Sequence, residues 1–283
     1  SNPGVVAAAS EAGAIGIVQP ISLTYVHGHE YRAGLRLIRS LTSKPIGLNA
    51  LIEQSSKLYR ERMEKWIEVA LEEGVRFFVT SLGNPKWVVK RVESVGGVVY
   101  HDVTERKWAQ KAVDGGVHGL IAVNARAGGH AGTRSAERLL DEVSDFGLPV
   151  ICAGGIGGGA SFATALELGY AGAQLGTRFI ATTECIASDA YKRAIVAASP
   201  DDIVLTERIT GVSAAVLTPP FIQRLGTSLR PVARPLLLGR RPQHRMPSSL
   251  ATPTPRPPDR GAHGEQHDDL RAALEWSLVQ PGE

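Results

Sequence analysis

Cysteine is scarce in this sequence. Only Cys152 and Cys185 occur among 283 residues, so neither a disulfide framework nor a cysteine-rich metal site is predicted. Such usage is typical of a reducing compartment, and we expect a cytoplasmic location. We predict no metal site of any kind.

Long apolar runs and a strong excess of one charge are also missing. No run approaches the roughly 20 residues that span a bilayer, and Ser1 to Gly4 lack the features of a signal peptide. The net charge is +3, and arginine is crowded towards the C-terminus, so the body of the chain is near neutral. We therefore predict neither a membrane nor a nucleic acid as partner. Because the sequence does not begin with Met, we expect an upstream segment.

Short apolar runs recur along the first three quarters of the chain, separated by amphipathic stretches of helical length. The runs are continuous rather than alternating, as in strands that are covered on both faces of a parallel sheet. Seven strands are predicted: Ala14–Val18, Pro45–Asn49, Val75–Thr80, Val98–His101, Gly119–Val123, Pro149–Ala153 and Ala171–Gly176. Helices are predicted at Pro3–Gly13, Tyr59–Glu73 (opening behind Ser55 and Ser56), Thr104–Gly115 and Ala160–Leu168.

This alternation predicts right-handed βαβ units, which leaves an open doubly wound sheet or a closed barrel. The chain begins inside a predicted helix, and helices in such proteins follow strands. One upstream strand would make eight, the number that closes a barrel. We therefore predict an α/β protein of the TIM-type (β/α)8 barrel class that lacks its first strand in this chain.

The composition changes near residue 228. The predicted barrel occupies residues 1–227, and residues 228–283 are rich in proline and arginine without a sustained period. Such a segment buries too little apolar surface to offset its ordering entropy, so we predict a disordered tail.

Two glycine-rich turns follow the last two predicted strands. The first lies at Gly154–Gly159 and the second at Gly176, ahead of Thr177. One such turn alone indicates a tight strand–helix connection. Two on neighbouring strands favour a phosphate site, because glycine lets the backbone approach an anion and barrels bind phosphate after strands seven and eight.

His130 lies among small residues after the strand Gly119–Val123. Barrel enzymes place catalytic side chains at this end of their strands, and imidazole exchanges a proton near neutral pH. A general base is one interpretation, and a loop histidine that bonds a backbone carbonyl is the other. His101 and Asp102 end another strand, where they line the same mouth or cap the helix that starts near Thr104.

Several segments together resemble the nitronate monooxygenase family of FMN-dependent barrels, also called nitropropane dioxygenases. The resemblance runs in order from Ser1 to about Gly226. It is carried by SNPGVVAAASEAGAIGIV at the start, TSLGNP at 80–85, NARAGGHAG at 124–132, VICAGGIGGG at 150–159, QLGTRFIATTEC at 174–185 and ITGVSAAVL at 209–217.

The resemblance implies that FMN lies across the barrel mouth. Its phosphate would meet Gly155 and the run Gln174, Leu175, Gly176 and Thr177. Asn49 matches the family's flavin-contacting asparagine, Gly128 the glycine packed against the isoalloxazine, and His130 the base that removes the α-proton of a nitroalkane. The implied reaction oxidises alkyl nitronates, and nitroalkanes after proton removal, with oxygen to carbonyl compounds and nitrite. A homodimer is one option for the assembly.

The sequence also departs from the family. The first strand with its Pro-Met segment is absent before Ser1, Leu51 stands where many members have a polar flavin contact, and the tail from Arg230 differs. Two alternatives therefore stay open. One is an FMN- and NAD(P)H-dependent enoyl-acyl-carrier-protein reductase, whose loop shares the Ala-Gly-Gly-His motif, and the other is a non-catalytic truncated barrel.

Overall fold

The computed structural model describes residues 1–52, 57–206 and 214–217. Seven parallel strands form one sheet in the order β1-β2-β3-β4-β5-β7-β8. They are β1 Gly16–Val18, β2 Ile46–Leu51, β3 Phe77–Ser81, β4 Val98–Val103, β5 Gly119–Val123, β7 Val150–Ala153 and β8 Gly172–Gln174. All seven predicted strands are confirmed, and each pairs with its neighbour in the sequence order that a barrel requires.

Helices alternate with these strands. They are α1 Pro3–Glu11, α2 Tyr31–Leu41, α3 Lys57–Glu72, α4 Lys86–Glu93, α5 Arg106–Asp114, α6 Ala136–Val143, α7 Gly159–Glu167, α8 Thr177–Ile180 and α9 Asp189–Ala197. Local capping explains several starts: the Glu30 carboxylate accepts from the first-turn N–H groups of α2, and Ser135 does so for α6. The four predicted helices are confirmed to within a few residues at each end.

A second, antiparallel sheet was not predicted. It contains β6 Gly129–His130, β9 Ile203–Thr206 and β10 Ala214–Leu217 in the order β6-β10-β9. β6 is two residues long, and His130 pairs with Ala214 while Gly129 pairs with Ala215. The small sheet thus fixes the backbone of the predicted histidine loop.

The large sheet separates two apolar layers. Its outer face packs on the helices through a core that includes Leu48, Phe78 and Leu120. Its inner face carries a smaller cluster around Val79 and Ile121. Alternate residues along a strand point to opposite faces, so the face of a polar residue follows from its position relative to these clusters.

The large sheet is open, because β1 and β8 are its two ends. The gap is bridged outside the sheet by Asn2, whose side chain donates to the Glu184 carbonyl at 2.9 Å and accepts from the Ile186 N–H at 3.4 Å. We call this contact the Asn2 clasp. The result is a curled, seven-stranded α/β barrel wall, as predicted from the strand count.

Some predictions lie outside the described residues. These are the tail at 228–283, the domain boundary at residue 227 and the helix start at Ser55 and Ser56. No helix among the described ranges is long and apolar enough to cross a bilayer. Within the same ranges, no cluster of histidine, cysteine and carboxylate side chains has the geometry of a metal site.

Candidate functional site

Three loops meet at the carboxyl ends of β5, β7 and β8. Asn124 follows β5 and is buried, and its amide donates to the Gly154 carbonyl at 3.0 Å while its Oδ1 accepts from the Arg126 N–H at 2.8 Å. The Gly155 N–H donates to the Arg126 carbonyl at 3.1 Å. These bonds hold the loop that leads to His130 against the glycine turn after β7.

The turn after β7 requires glycine. Gly154 has φ +115°, and a Cβ there would lie 2.4 Å from both the Ala127 nitrogen and Asn124 Oδ1. Gly155 has φ +77°, and its missing Cβ would stand 3.4 Å from the Arg126 side chain. Both backbone conformations lie in the left-handed region that other residues rarely adopt. The glycines therefore allow the close approach between the two loops.

The end of β8 is joined to the same turn. Gln174 pairs with Ala153 and is the last residue of β8, and Leu175 and Gly176 lead into α8. The Arg178 guanidinium donates to the Gly157 carbonyl at 2.8 Å. The residues predicted to hold a phosphate, Gly155 and Gln174 to Thr177, thus lie at the ends of two paired strands.

Several N–H groups of the first glycine turn already have partners. The Gly155 N–H is bonded to Arg126, and those of Gly157 and Gly158 donate to Ser161 Oγ at 3.0 and 3.2 Å. Two cationic side chains, Arg126 and Arg178, lie beside the turn. Positive charge thus lies next to the glycine turn.

His130 lies in the same loop, half-buried, after Gly128 and Gly129. Gly129 has φ +73°, in the left-handed region that glycine adopts readily. Ala131 packs on the inner apolar cluster that contains Val123 and Ala153. The loop therefore covers the inner face of the sheet on the side of β5 and β7.

Buried polar side chains lie on the inner face toward the carboxyl ends of the first four strands. Asn49 lies two residues after Gly47 on β2 and therefore on the same face; a Cβ at Gly47 would touch the Ile17 and Phe77 side chains. Four side chains carry buried polar atoms for which no described residue provides a hydrogen-bond partner: Gln19 Nε2, Asn49 Oδ1, Ser81 Oγ and both carboxylate oxygens of Asp102. Such atoms are costly to leave unpaired, so a polar group placed against them would be stabilised.

Adjacent His101 and Asp102 point to opposite faces of the sheet. His101 lies in the layer between sheet and helices, where its Nδ1 is 2.9 Å from Thr80 Oγ1 and burial lowers its pKa to about 4. Asp102 shares the inner face with Tyr100, and burial raises the pKa of its carboxyl well above the usual range. The interpretation that His101 lines the mouth is therefore wrong, and no side-chain cap bond starts α5.

The sequence did not single out Asn124, Gln19 or Ser81, and it named Asp102 only as the neighbour of His101. Asn124 directly follows a predicted strand, and a polar residue at that position could have indicated a site residue. Extending the predicted strands β3 and β4 by one residue would have identified Ser81 and Asp102. Ser81 lies two residues after the inward-facing Val79, and Asp102 lies two residues after the inward-facing Tyr100.

These features define the class: a parallel α/β barrel whose candidate site lies at the carboxyl ends of the strands, built from a histidine loop and two glycine turns. A family model described as nitronate monooxygenase matches residues 1–243. The chain belongs to the nitronate monooxygenase family, a family of flavin-dependent oxidoreductases.

Curated relatives carry two kinds of name. A (3aS,4S,5R,7aS)-5-hydroxy-7a-methyl-1-oxo-octahydro-1H-indene-4-carboxyl-CoA dehydrogenase from Mycobacterium tuberculosis is 31% identical over 80% of this chain and 62% of its own length. A nitronate monooxygenase from Pseudomonas aeruginosa is 28% identical over 76% of this chain and 72% of its own length. The chain spans 62% of the length of the dehydrogenases from M. tuberculosis and Rhodococcus jostii.

Solved structures share the fold. FabK from Thermotoga maritima is 31% identical, covers 79% of this chain and 70% of its own, and has a TM-score of 0.68. A nitroalkane oxidase from Streptomyces ansochromogenes is 26% identical, covers 80% of this chain and 76% of its own, and has a TM-score of 0.69.

Proposed function

We propose that this chain forms the FMN-binding barrel of an oxidoreductase that acts on carbon acids, with His130 as the base. The observation that carries the proposal is the hydrogen-bonded junction of the His130 loop with the glycine turn after β7 and the end of β8. His130 and the glycine turn after β7 thus lie at one rim, in a family of flavin enzymes, and this supports the proposal.

The residues at the rim fit FMN. Gly155 with Gln174, Leu175, Gly176 and Thr177 would hold the phosphate, and the nearby guanidinium groups of Arg126 and Arg178 add favourable charge. Asn49, whose Oδ1 is buried and unbonded among the described residues, would contact the ring together with Gly128. When bound, FMN would supply the electron-accepting chemistry, while the chain positions the substrate and removes its proton.

Alkyl nitronates, and nitroalkanes after proton removal, are the first substrate class that we propose, with oxygen as co-substrate and a carbonyl compound and nitrite as products. The family match and the curated nitronate monooxygenases support this class. A nitroalkane needs a base because its α-carbon must lose a proton, whereas a nitronate has already lost it.

Acyl-CoA thioesters are the second candidate class. The relatives from M. tuberculosis and R. jostii, at 31% and 29% identity, are named as carboxyl-CoA dehydrogenases. A thioester also acidifies its α-carbon, so the same histidine would serve as base. Two exposed guanidinium groups beside the turn suit a substrate that carries phosphates.

Replacing His130 with Ala tests the role of the imidazole. We expect turnover of neutral nitroalkanes to fall about 100- to 10,000-fold, the usual contribution of a general base, with nitronate oxidation largely retained. Nitrite release measured with both substrates on the FMN-loaded protein provides the comparison. Equal loss with both would contradict proton removal by His130.

Anaerobic mixing distinguishes the substrate classes. The bound flavin should lose its visible absorbance with a nitronate if the first class is right, and with an acyl-CoA thioester if the second is right. Rapid bleaching by NADH would instead favour the enoyl-acyl-carrier-protein reductase alternative. A protein that takes up no FMN would contradict the flavin proposal and favour a non-catalytic barrel.

A further inference from the structure

Asp102 is an ionisable residue that the proposed reaction does not use. It lies one residue before the end of β4, on the inner face, and both carboxylate oxygens are buried without a partner among the described residues. A carboxyl group in such a place requires a ligand or carries a large energetic penalty.

Among the described residues, those placed beside Asp102 carry no charge. Its registered neighbour on β5 is Ile121, the inward residues of β3 beside it are Val79 and Ser81, and Tyr100 precedes it on its own strand. Burial raises the pKa of Asp102 well above its usual range, and no charge on any described residue contributes to that shift. A buried carboxylate without a counter-ion is strongly disfavoured, so this environment favours the neutral acid.

A neutral carboxylic acid presents one O–H donor and one C=O acceptor side by side. This pair is complementary to a lactam edge, in which a ring C=O and a ring N–H are adjacent. The pyrimidine part of a flavin has such an edge. Other buried atoms without a described partner are Asn49 Oδ1 on β2, Ser81 Oγ on β3 and Gln19 Nε2 directly after β1.

We propose that the neutral carboxyl group of Asp102 pairs with the lactam edge of the flavin ring, donating to its C=O and accepting from its N–H. The inference rests on the proposed binding of FMN and adds the orientation of the ring. The phosphate lies at the ends of β7 and β8, and the pyrimidine edge reaches across the interior to β4.

Two substitutions separate pairing from charge. In Asp102→Asn, the amide keeps one donor and one acceptor of the same shape, and we expect FMN to bind within about threefold of the wild type. In Asp102→Ala both are lost, and we expect FMN binding to weaken at least about tenfold, as for the loss of buried hydrogen bonds. Asp141→Ala, on the exposed face of α6, is the control for replacing an aspartate away from the interior, and we expect it to leave FMN binding unchanged.

The readout is the quenching of FMN fluorescence on titration of the apoprotein, which requires no turnover. The same titration with N3-methyl-FMN, which lacks the ring N–H, tests the partner. Wild-type protein should bind this analogue at least about tenfold more weakly than FMN, whereas Asp102→Ala should discriminate much less, because it has lost the acceptor and has room for the methyl group.

Each outcome decides the proposal. Unchanged FMN affinity in Asp102→Ala, in a variant whose circular dichroism shows the wild-type fold, would overturn the pairing while leaving FMN binding intact. Equal weakening in Asp102→Asn and Asp102→Ala would overturn it as well, since the carboxyl would then act through its charge. A wild-type chain that binds no FMN would remove both the pairing and the proposed function.

Discussion

Individual residues on the inner face reduce the stability of the apoprotein. Asp102 and Ser81 have buried polar atoms that no described residue satisfies, although the same face also carries the apolar cluster of Val79 and Ile121. An unsatisfied buried group costs about 1–3 kcal/mol. These polar atoms are consistent with the proposed polar ligand and are not explained by packing.

Asp102 should make the apoprotein less stable as the pH rises. Its pKa is raised in the folded state, so above the unfolded value near 4 the unfolded chain releases the proton first. The free energy of unfolding of Asp102→Asn minus that of the wild type should therefore grow by about 1.4 kcal/mol per pH unit until the folded-state pKa is reached. Urea denaturation of both proteins between pH 4.5 and 7.5 measures this difference.

Asp141→Asn, on an exposed site, is the matched control and should show no such trend. A constant difference between Asp102→Asn and the wild type across the pH range would mean that the Asp102 carboxyl ionises as it does in the unfolded chain.

At the residue scale, the sequence was sufficient to predict the His130 loop and the glycine turns, because small residues and glycine in that order are conspicuous. It was not sufficient for Asp102. His101 and Asp102 are adjacent, one faces the helices and the other the interior, and the register that decides between them is fixed only by pairing with β3 and β5.

At the scale of elements, the turn after β7 depends on Gly154 far more than on Gly157. A Cβ at Gly154 would overlap the Ala127 nitrogen and Asn124 Oδ1, and its φ is positive, whereas a Cβ at Gly157 would meet nothing within 4 Å. The turn therefore contains two glycines of opposite sensitivity only three positions apart.

Gly154→Ala should lower the free energy of unfolding by about 2–4 kcal/mol, because backbone strain and overlap add. Gly157→Ala should change it by less than about 1 kcal/mol, since the alanine fits and reduces the entropy of the unfolded chain. Thermal or urea denaturation of the two variants gives the comparison. Similar losses in both would show that the contact between the two loops is not what requires glycine.

The seven parallel strands were predictable because each is a short continuous apolar run bounded by turn residues. The small antiparallel sheet was not. β6 has only two residues, Gly129 and His130, and too short a segment carries no period. β6 forms only because it pairs with β10, which lies more than eighty positions later in the sequence. Such long-range pairing is a tertiary effect that a local pattern does not predict.

At the scale of the whole molecule, we expect the open edge to be the weakest part of the large sheet. β1 and β8 each pair on one side only, and the gap is bridged by the two hydrogen bonds of the Asn2 clasp. Edge strands with few bonds open at lower free energy than central ones.

Native-state hydrogen exchange should show this order. We expect the amides of β1 and β8 to exchange sooner than those of β3 and β4 in the apoprotein, and Asn2→Ala to speed exchange at β1 and β8 with little effect on β4. Mass spectrometry of peptides from each strand measures the rate of amide exchange. Uniform protection across all seven strands would contradict the view that the clasp closes a weak seam.

The backbone pairing of His130 with Ala214 has a practical consequence for redesign. Main-chain hydrogen bonds do not depend on side-chain identity, proline apart, so the strand that presents the imidazole does not need the imidazole to form. A glutamate or lysine installed at this position would inherit the same placement above the sheet. The scaffold thus offers a fixed attachment point at which the proposed proton acceptor could be exchanged for one of different basicity.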